Sequence, residues 1–507
     1  MIELRDYQRA AVESTLQKWR EFDRLLGVAP TASGKTIKFA HIANARAQTG
    51  RVLILAHRDE LIDQARDKLF RACGVLTSKE KADDYADLDA GVVVGSVQTL
   101  SRNHRLQRFT ANHFETVIVD EAHRTLAESY LRILNHFNRA KVLGVTATPD
   151  RGDRRSLAQY YQDIAFELSL PDMIRAGWLC PIKIKTVPLE IDISAVGMRA
   201  GDYSDEQLAL ALDPVLHELA QAVADHARDR KTLIFLPLVD TSYHFAEVLR
   251  AHGLAAEAIC GESSERKEIL ARFASGETRF LCNALLLTEG YDEPSIDCVV
   301  CLRPTTIRGF YAQMVGRGMR IHQGKENLLL LDFLWLSREH NLVKPAALIA
   351  KDAQHQAEIE AQLARSNDGD LLEAEASAKA EREAGLMRRL ERQRERDSSE
   401  IDLLELAARW QAPDLLNYAP TFAWERKEPT ALQIPVLTYN GIDLALIQNR
   451  GHASALLASL FGFKEREPAT ERQIAYCRYL GHKNPQNLTK REAGRWIAER
   501  KARPAHV

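Results

Sequence analysis

Three short runs in the chain hold side chains able to move a phosphoryl group. The first, APTASGKT (Ala29 to Thr36), follows the apolar Leu25, Leu26, Gly27 and Val28 and precedes Ile37, Phe39, Ala40 and Ile42. It therefore reads as a strand, a tight loop and the first turn of a helix, the setting of a phosphate-binding loop. Backbone N–H groups of such a loop, here Pro30, Thr31, Ala32, Ser33 and Gly34 less the proline nitrogen, converge on an anion with help from the helix dipole. Lys35 would reach the β- and γ-phosphates of ATP, and the Thr36 hydroxyl would bind Mg²⁺. Ala29 stands where the GxxxxGK[ST] pattern has its first glycine. The second run is DEAH (Asp120 to His123), directly after the apolar Val117, Ile118 and Val119. Asp120 would share the Mg²⁺, and Glu121 would orient and deprotonate the attacking water. The third, QMVGRGMR (Gln313 to Arg320), carries Arg317 and Arg320 three apart, so both sit on one helical face. Either could act as an arginine finger, a role worth roughly 10³ to 10⁵ in turnover.

Something must hold these runs, and the apolar pattern says what. LLGVA, VLILAH, GVVVGS, TVIVDE and KVLGVTAT recur up to about residue 150 with helical stretches between them. Continuous rather than alternating apolar runs are the mark of a parallel sheet covered on both faces. A second such lobe spans roughly 214 to 345, with TLIFLP, AAEAI, RFLCNA, IDCVVCL and LLLLDF. The first lobe is expected over 1–165 and a connection over 166–213, where Ser204 and Gln207 have capping-box spacing. A charged helical arm, expected to be solvated, follows over 346–400, and a small helical domain over 401–507. The fold class is α/β: two tandem parallel-sheet lobes followed by a mainly α-helical C-terminal region.

The totals narrow the classes. With 507 residues the chain is too long for one core. Lys and Arg number 68 against 70 Asp and Glu, so a polyanion would have to meet local patches rather than a basic whole. The best local candidate is 470–507, with nine basic side chains against three acidic ones. No apolar run reaches the roughly 18 residues that cross a bilayer, and the N-terminus lacks a signal pattern; a cytoplasmic location with no membrane partner is expected. Seven cysteines are scattered. Cys298 and Cys301 have CxxC spacing but lie in one strand, where residues three apart face opposite sides of the sheet, so a metal or redox role is not expected.

With these residues in view, residues 1 to 340 resemble a superfamily 2 helicase, motif by motif and in order. LRDYQ (Leu4 to Gln8) is similar to the adenine-reading motif, which implies Gln8 on the adenine edge and Arg5 against its face. APTASGKT resembles motif I, LAHRDEL (Leu55 to Leu61) motif Ia, GSVQTL (Gly95 to Leu100) motif Ib, DEAH motif II and TATP (Thr146 to Pro149) motif III. LIFLP resembles motif IV, TEGYDEP (Thr288 to Pro294) motif V and QMVGRGMR motif VI. The resemblance implies two RecA-like lobes with ATP between them, Gly290 and Asp292 at the nucleotide, and Gln313, Arg317 and Arg320 as catalytic. It implies Arg58, Gln98, Thr99 and Thr288 on nucleic-acid phosphates, and His123, Thr146 and Thr148 coupling the two sites. TATPDRGD and QxxGRxxR are similar to the RadD type and to XPB-like and RecG-like DNA helicases. The zinc region of RadD proteins is not carried over, since one cysteine follows Cys301.

The implied partner is DNA, duplex, single-stranded or branched, and the implied activity an ATP-dependent helicase or translocase of repair or recombination. RNA remodelling is an alternative, because phosphate contacts do not separate the two nucleic acids. So is a restriction or defence motor with a nuclease, since Pro413, Asp414, Glu425 and Lys427 satisfy a loose PD…ExK spacing.

Overall fold

The inner strands of the first lobe bury alternate residues in two different cores, which is why their sequences show no polar alternation. Leu53 and Leu55 enter one core with Val117 and Val119. Val52, Ile54 and Ala56 enter the other with Ile118. Each such aliphatic side chain withdrawn from water contributes about 1.5–3 kcal/mol, so a polar residue at any of them would cost the sheet one of its two cores.

The computed structural model describes residues 3–56, 59–147, 156–199, 201–261, 265–288, 291–336, 342–365 and 368–394. Beyond these it describes 407, 410, 412–440, 442–466, 471–479, 489, 493 and 497. The chain divides into two compact units, 1–378 and 379–507. No helix among the described residues is long and apolar enough to cross a membrane.

The first unit opens with α1 (Asp6–Lys18), β1 (Arg24–Val28), α2 (Lys35–Ala47), β2 (Val52–Ala56), α3 (Asp59–Cys73), β3 (Ser78–Glu80) and β4 (Val92–Ser96). After these come β5 (Thr116–Asp120), β6 (Lys141–Thr146) and β7 (Asp163–Glu167). The seven strands pair in the order β3-β4-β2-β5-β6-β1-β7. Every pair is parallel. β1 and β5 flank β6, so the loop after β1 and the DEAH run after β5 emerge at the same carboxyl edge, where open α/β sheets place ligands.

The second sheet has the order β12-β13-β11-β14-β15-β8-β16. Its strands are β11 (Thr232–Phe235), β12 (Ala256–Ile259), β13 (Phe280–Asn283), β14 (Cys298–Cys301) and β15 (Leu328–Leu336), with β8 (Ile182–Asp192) and β16 (Asp368–Asp370). Two expectations change here. The stretch PIKIKTVPLEI, assigned by sequence to the connection, is β8, parallel to β15 along its whole length. The arm over 346–400 is not solvated at its start: β16 adds antiparallel to β8. Ile359, Leu371, Ala374 and Ala378 are buried in the same core as β15. Cys298 and Cys301 lie in cores on opposite faces of the sheet, as their spacing predicts.

The helix Asp205–Leu212 begins at Ser204 as expected, without the capping box. Ser204 instead donates to Glu206 at 2.8 Å, and Gln207 accepts from the Gly197 N–H at 2.5 Å. In the second unit, helices Gln433–Tyr439 and Arg450–Arg466 close over a small core of Trp410, Leu415, Leu437, Ile442, Leu456 and Leu460.

Candidate functional site at the meeting of the two lobes

The phosphate-loop residues adopt the shape their sequence suggests. Ala32 and Gly34 both have left-handed backbones, φ +69° and +72°, and Gly34 caps α2. A Cβ on Gly34 would stand 2.5 Å from the Gln8 amide nitrogen, the far end of that side chain, and the positive φ is what favours glycine here. No side chain caps the amino end of α2, which leaves its N–H groups for an anion. Pro30, Thr31 and Ser33 are buried, while Ala32, Gly34, Lys35 and Thr36 are half-buried. Two donors hold the loop from behind, both on the Ser33 carbonyl: the Tyr7 hydroxyl at 3.1 Å and the Lys38 amine at 3.0 Å. A carbonyl turned inward would repel a phosphate, so these bonds keep the Ser33 peptide in the useful orientation. Lys38 is fully buried beside the Tyr7 and Phe166 rings. Burial, with the charge of Lys35, lowers its pKa to about 7.

Asp120 ends β5, and its carboxylate accepts the Glu121 N–H at 3.0 Å. Glu121 has φ +53°, a conformation that costs a non-glycine residue about 1–3 kcal/mol. That strain aims its carboxylate at two nitrogens: Lys35 Nζ at 3.4 Å and His123 Nδ1 at 3.4 Å. Burial pushes the Glu121 carboxyl up, and the Lys35 charge and the His123 hydrogen bond outweigh it, holding the group below the ordinary carboxylate value. A carboxylate kept ionised beside Lys35 can accept a proton from, or orient, a water held on the same edge. Thr146 ends β6, is buried, and its carbonyl takes the Ala29 N–H at 3.0 Å, so this motif is wired to the start of the phosphate loop.

The second lobe reaches the loop through the Arg308–Gly316 helix. A Cβ on Gly316 would lie 2.4 Å from Thr31 Cγ2, so the helix end rests directly on the phosphate loop. Arg317 is buried and donates to the Tyr291 carbonyl at 2.8 Å and to the Gln313 carbonyl at 3.4 Å; Gln313 itself is buried. The helix ends at Gly316, so Arg317 caps it and Arg320 lies beyond it, rather than both sharing one helical face as their spacing suggests; Arg320 pairs through Nε with Asp292 at 3.0 Å. Its Nη1 is buried and has no partner among the described residues. The Thr31 hydroxyl is in the same condition. A buried orphan donor costs about 1–3 kcal/mol, more when charged, and an anion at this place would remove the cost. Asp292 also meets Lys68 of α3 at 3.7 Å, tying the lobes together a second time.

Around the loop, Arg5 lies over the Trp178 ring at 5.1 Å and Tyr7 is 5.4 Å from it. Gln8 is buried, its carbonyl oxygen on the Arg5 N–H at 3.1 Å. Lys38 and Trp178 are additions that the motifs do not announce, and Tyr7, inside LRDYQ, has a role there that the resemblance does not assign. Lys38 alternates with Phe39, Ala40 and Ile42 and reads as the polar face of α2.

The expected nucleic-acid residues are less uniform. Gln98 is exposed, its amide oxygen on Ser96 Oγ at 2.7 Å. The Thr99 hydroxyl is buried and accepts the Ala82 N–H at 3.0 Å, and the Thr288 hydroxyl donates to the Leu285 carbonyl at 2.7 Å. Both hydroxyls thus brace their own lobe rather than face outward. Arg58, Thr148 and Gly290 lie outside the described residues.

Two carboxylates of the PD…ExK spacing have partners elsewhere. Asp414 is an exposed residue paired with Arg382 at 3.4 Å. Glu425 caps the Thr421 and Phe422 N–H groups, the latter at 2.7 Å. Among the described residues no group of three or more His, Cys, Asp or Glu could hold a metal ion.

Residues 1–151 match the family described as "Type III restriction enzyme, res subunit", and 214–322 match the "Helicase conserved C-terminal domain". The putative ATP-dependent helicase IRC3 of Saccharomyces cerevisiae is 33% identical over 360 residues, covering 66% of this chain and 52% of that protein. The putative mitochondrial ATP-dependent helicase irc3 of Schizosaccharomyces pombe is 33% identical over 354 residues, covering 66% and 57%. The chain thus spans somewhat more than half the length of these curated relatives. Among solved structures, an ATP-dependent Type ISP restriction-modification enzyme, LlaBIII, bound to DNA superposes with a TM-score of 0.54 at 18% identity. That superposition covers 72% of this chain and 30% of that one, and it shows a shared fold.

Proposed function

Taking as premise that the chain is a superfamily 2 helicase, we propose that it is an ATP-dependent motor on DNA, translocating or unwinding, in repair or recombination. One observation carries the reading. A lysine-paired acid stands at the carboxyl edge of the first sheet, the second lobe carries a half-buried arginine whose Nη1 has no partner among the described residues, and Gly316 beside that arginine is seated on Thr31 of the phosphate loop.

ATP would lie on the loop Pro30 to Thr36, with its base toward Arg5, Gln8 and Trp178. Lys35 would exchange Glu121 for the β- and γ-phosphates, which frees the carboxylate to orient the attacking water and take its proton. The Thr31 hydroxyl and Arg320 Nη1, orphaned without ligand, fit a polyphosphate. The hard oxygens of Thr36 and Asp120 suit Mg²⁺, which commonly takes one or two protein ligands beside phosphates and water. When bound, the ion would neutralise phosphate charge. Arg320 would meet the charge that spreads over the transferring group, and Arg317 would hold the Tyr291 backbone next to Asp292.

Ligand contacts made with both lobes favour a closed arrangement, and hydrolysis removes them. Repeated closure must meet a load of about 1.4 kcal/mol per base-pair step if strands are separated. Gln98, with Arg58 and the backbone around Thr99 and Thr288, is the proposed nucleic-acid track; such phosphate contacts carry no sequence information. Comparing stimulation of ATP hydrolysis by duplex, single-stranded and forked DNA and by RNA tests this. Stimulation by RNA alone would replace the reading with an RNA-remodelling one, and hydrolysis indifferent to all four would refute the motor.

A further inference from the structure

Lys325 is a half-buried lysine of the second lobe that no motif covers. Its ammonium donates to three carbonyls and to no carboxylate: Ile296 at 2.5 Å, Gly318 at 2.5 Å and Arg320 at 2.9 Å. Those are all the donors an ammonium has. The carbonyl between Gly318 and Arg320, that of Met319, is taken by the Cys180 N–H at 2.8 Å. Three successive peptides carrying Arg320 are therefore held in place, two of them by one side chain.

A solvated loop would need none of this. Burying an ammonium without a counter-charge is expensive, and carbonyl dipoles offset only part of the cost. Burial lowers the pKa of Lys325 to about 8, against the opposing pull of Cys180 and Asp297 and with the repulsion of Arg320 and Arg230. What the arrangement does achieve is a fixed backbone beneath a guanidinium whose Nη1 waits without a partner. Arg320 has one ion-pair partner, Asp292, which it shares with Lys68. Its aim thus depends on its backbone.

We propose that Lys325 is a positioning residue, acting through Arg320: by holding the Gly318, Arg320 and Ile296 carbonyls it fixes where that guanidinium meets the transferring phosphoryl. This rests on the motor reading above. Misplacing a transition-state group by about 1 Å can cost on the order of 100-fold, with little change in ground-state binding.

The test is a double-mutant cycle on the full chain, reading kcat and KM for DNA-stimulated ATP hydrolysis in wild type, Lys325→Met, Arg320→Ala and the double variant. Lys325→Met should lower kcat roughly 10- to 100-fold with KM within about twofold, and should add nothing beyond about twofold to Arg320→Ala. An equal loss in both backgrounds, a change in KM alone, or an unchanged kcat would overturn the proposal. Failure of Arg320→Ala itself to lower kcat would remove Arg320 as the finger and this proposal with it, whereas hydrolysis indifferent to nucleic acid would refute the motor reading, which separates the two failures. Should Lys325→Met not fold, the wild-type pH profile serves. Above pH 8 the neutral amine has two donors for three carbonyls, so kcat should fall along an alkaline limb that is absent from Arg320→Ala. The same limb in both proteins would exclude action through Arg320.

Discussion

The two lobes carry similar sheets and treat charge in opposite ways. In the first, the reactive groups are already paired with each other: Lys35 and His123 on Glu121, and Asp120 on the Glu121 N–H. In the second, one guanidinium is spent on backbone carbonyls and the other keeps a buried Nη1 with no partner among the described residues. The first lobe is balanced before anything arrives. The second holds a positive charge in reserve. Such a division is what differential binding of a transition state asks for, since a group already satisfied in the ground state adds little when charge develops. Behind both faces the same device recurs, a lysine withdrawn onto backbone carbonyls: the buried Lys38 on Ser33, and the half-buried Lys325 on Gly318, Arg320 and Ile296.

The hardest test of this division is Arg320→Ala. Turnover at saturating ATP should fall by about 10³, while nucleotide affinity, measured by equilibrium binding, changes by no more than about threefold. A comparable loss of affinity would erase the distinction between the lobes. Lys35→Ala should cost about 10² to 10³ in kcat/KM and weaken nucleotide binding as well, because it removes both a phosphate contact and the charge that steadies Glu121. Full activity in that variant would remove the phosphate loop from the site.

Gly316→Ala probes the contact between the lobes. The added Cβ meets Thr31 at 2.4 Å, and overpacking of this kind costs about 1–3 kcal/mol, so turnover should drop about tenfold or more with the sheets intact by circular dichroism. Unchanged kinetics would mean that the helix end does not bear on the loop during catalysis. The smallest effect concerns stability and pH. The Lys325 pKa falls from an ordinary 10.5 to about 8 on folding. Between those values the unfolded chain binds the proton and the folded chain does not, so stability rises with pH across this window and the burial cost is fully present below pH 8. The melting temperature of Lys325→Met relative to wild type should therefore decline by about 2 to 4 °C between pH 7 and pH 10. A constant difference would place the ammonium in contact with water.

The parts legible in the sequence are those whose physics is local. A glycine with φ above zero and a lysine at the first position of an uncapped helix are written in eight residues, Ala29 to Thr36, directly after a strand. Asp120 follows an apolar run because a strand must end somewhere, and the parallel order follows from runs that bury both faces. What escaped depends on distant partners. β8 is a strand only because β15 lies beside it, and its Lys183 and Lys185 alternate with Ile182 and Ile184 like a surface strand. The start of the charged arm was readable in principle, since Leu371, Ala374 and Ala378 recur at helical spacing, but the acidic and basic residues between them outweigh that signal. Lys38 and Lys325 could not be found by type, because a lysine is surface by default until carbonyls from elsewhere surround it. The Ser204 to Gln207 box lost to a competing donor, the Gly197 N–H, seven residues before Ser204.

The second sheet has a practical consequence. The family match over 214–322 takes in β11, β12, β13 and β14 and stops short of β15, β8 and β16. A protein fragment cut at those limits would present β14 as a bare hydrophobic rim, with Val299 and Val300 ready to pair with a neighbour's backbone, and should precipitate on expression. Extending the piece backward to Leu170 and forward to Ala378 supplies both missing borders, so soluble production of this half depends on residues that flank the domain on either side.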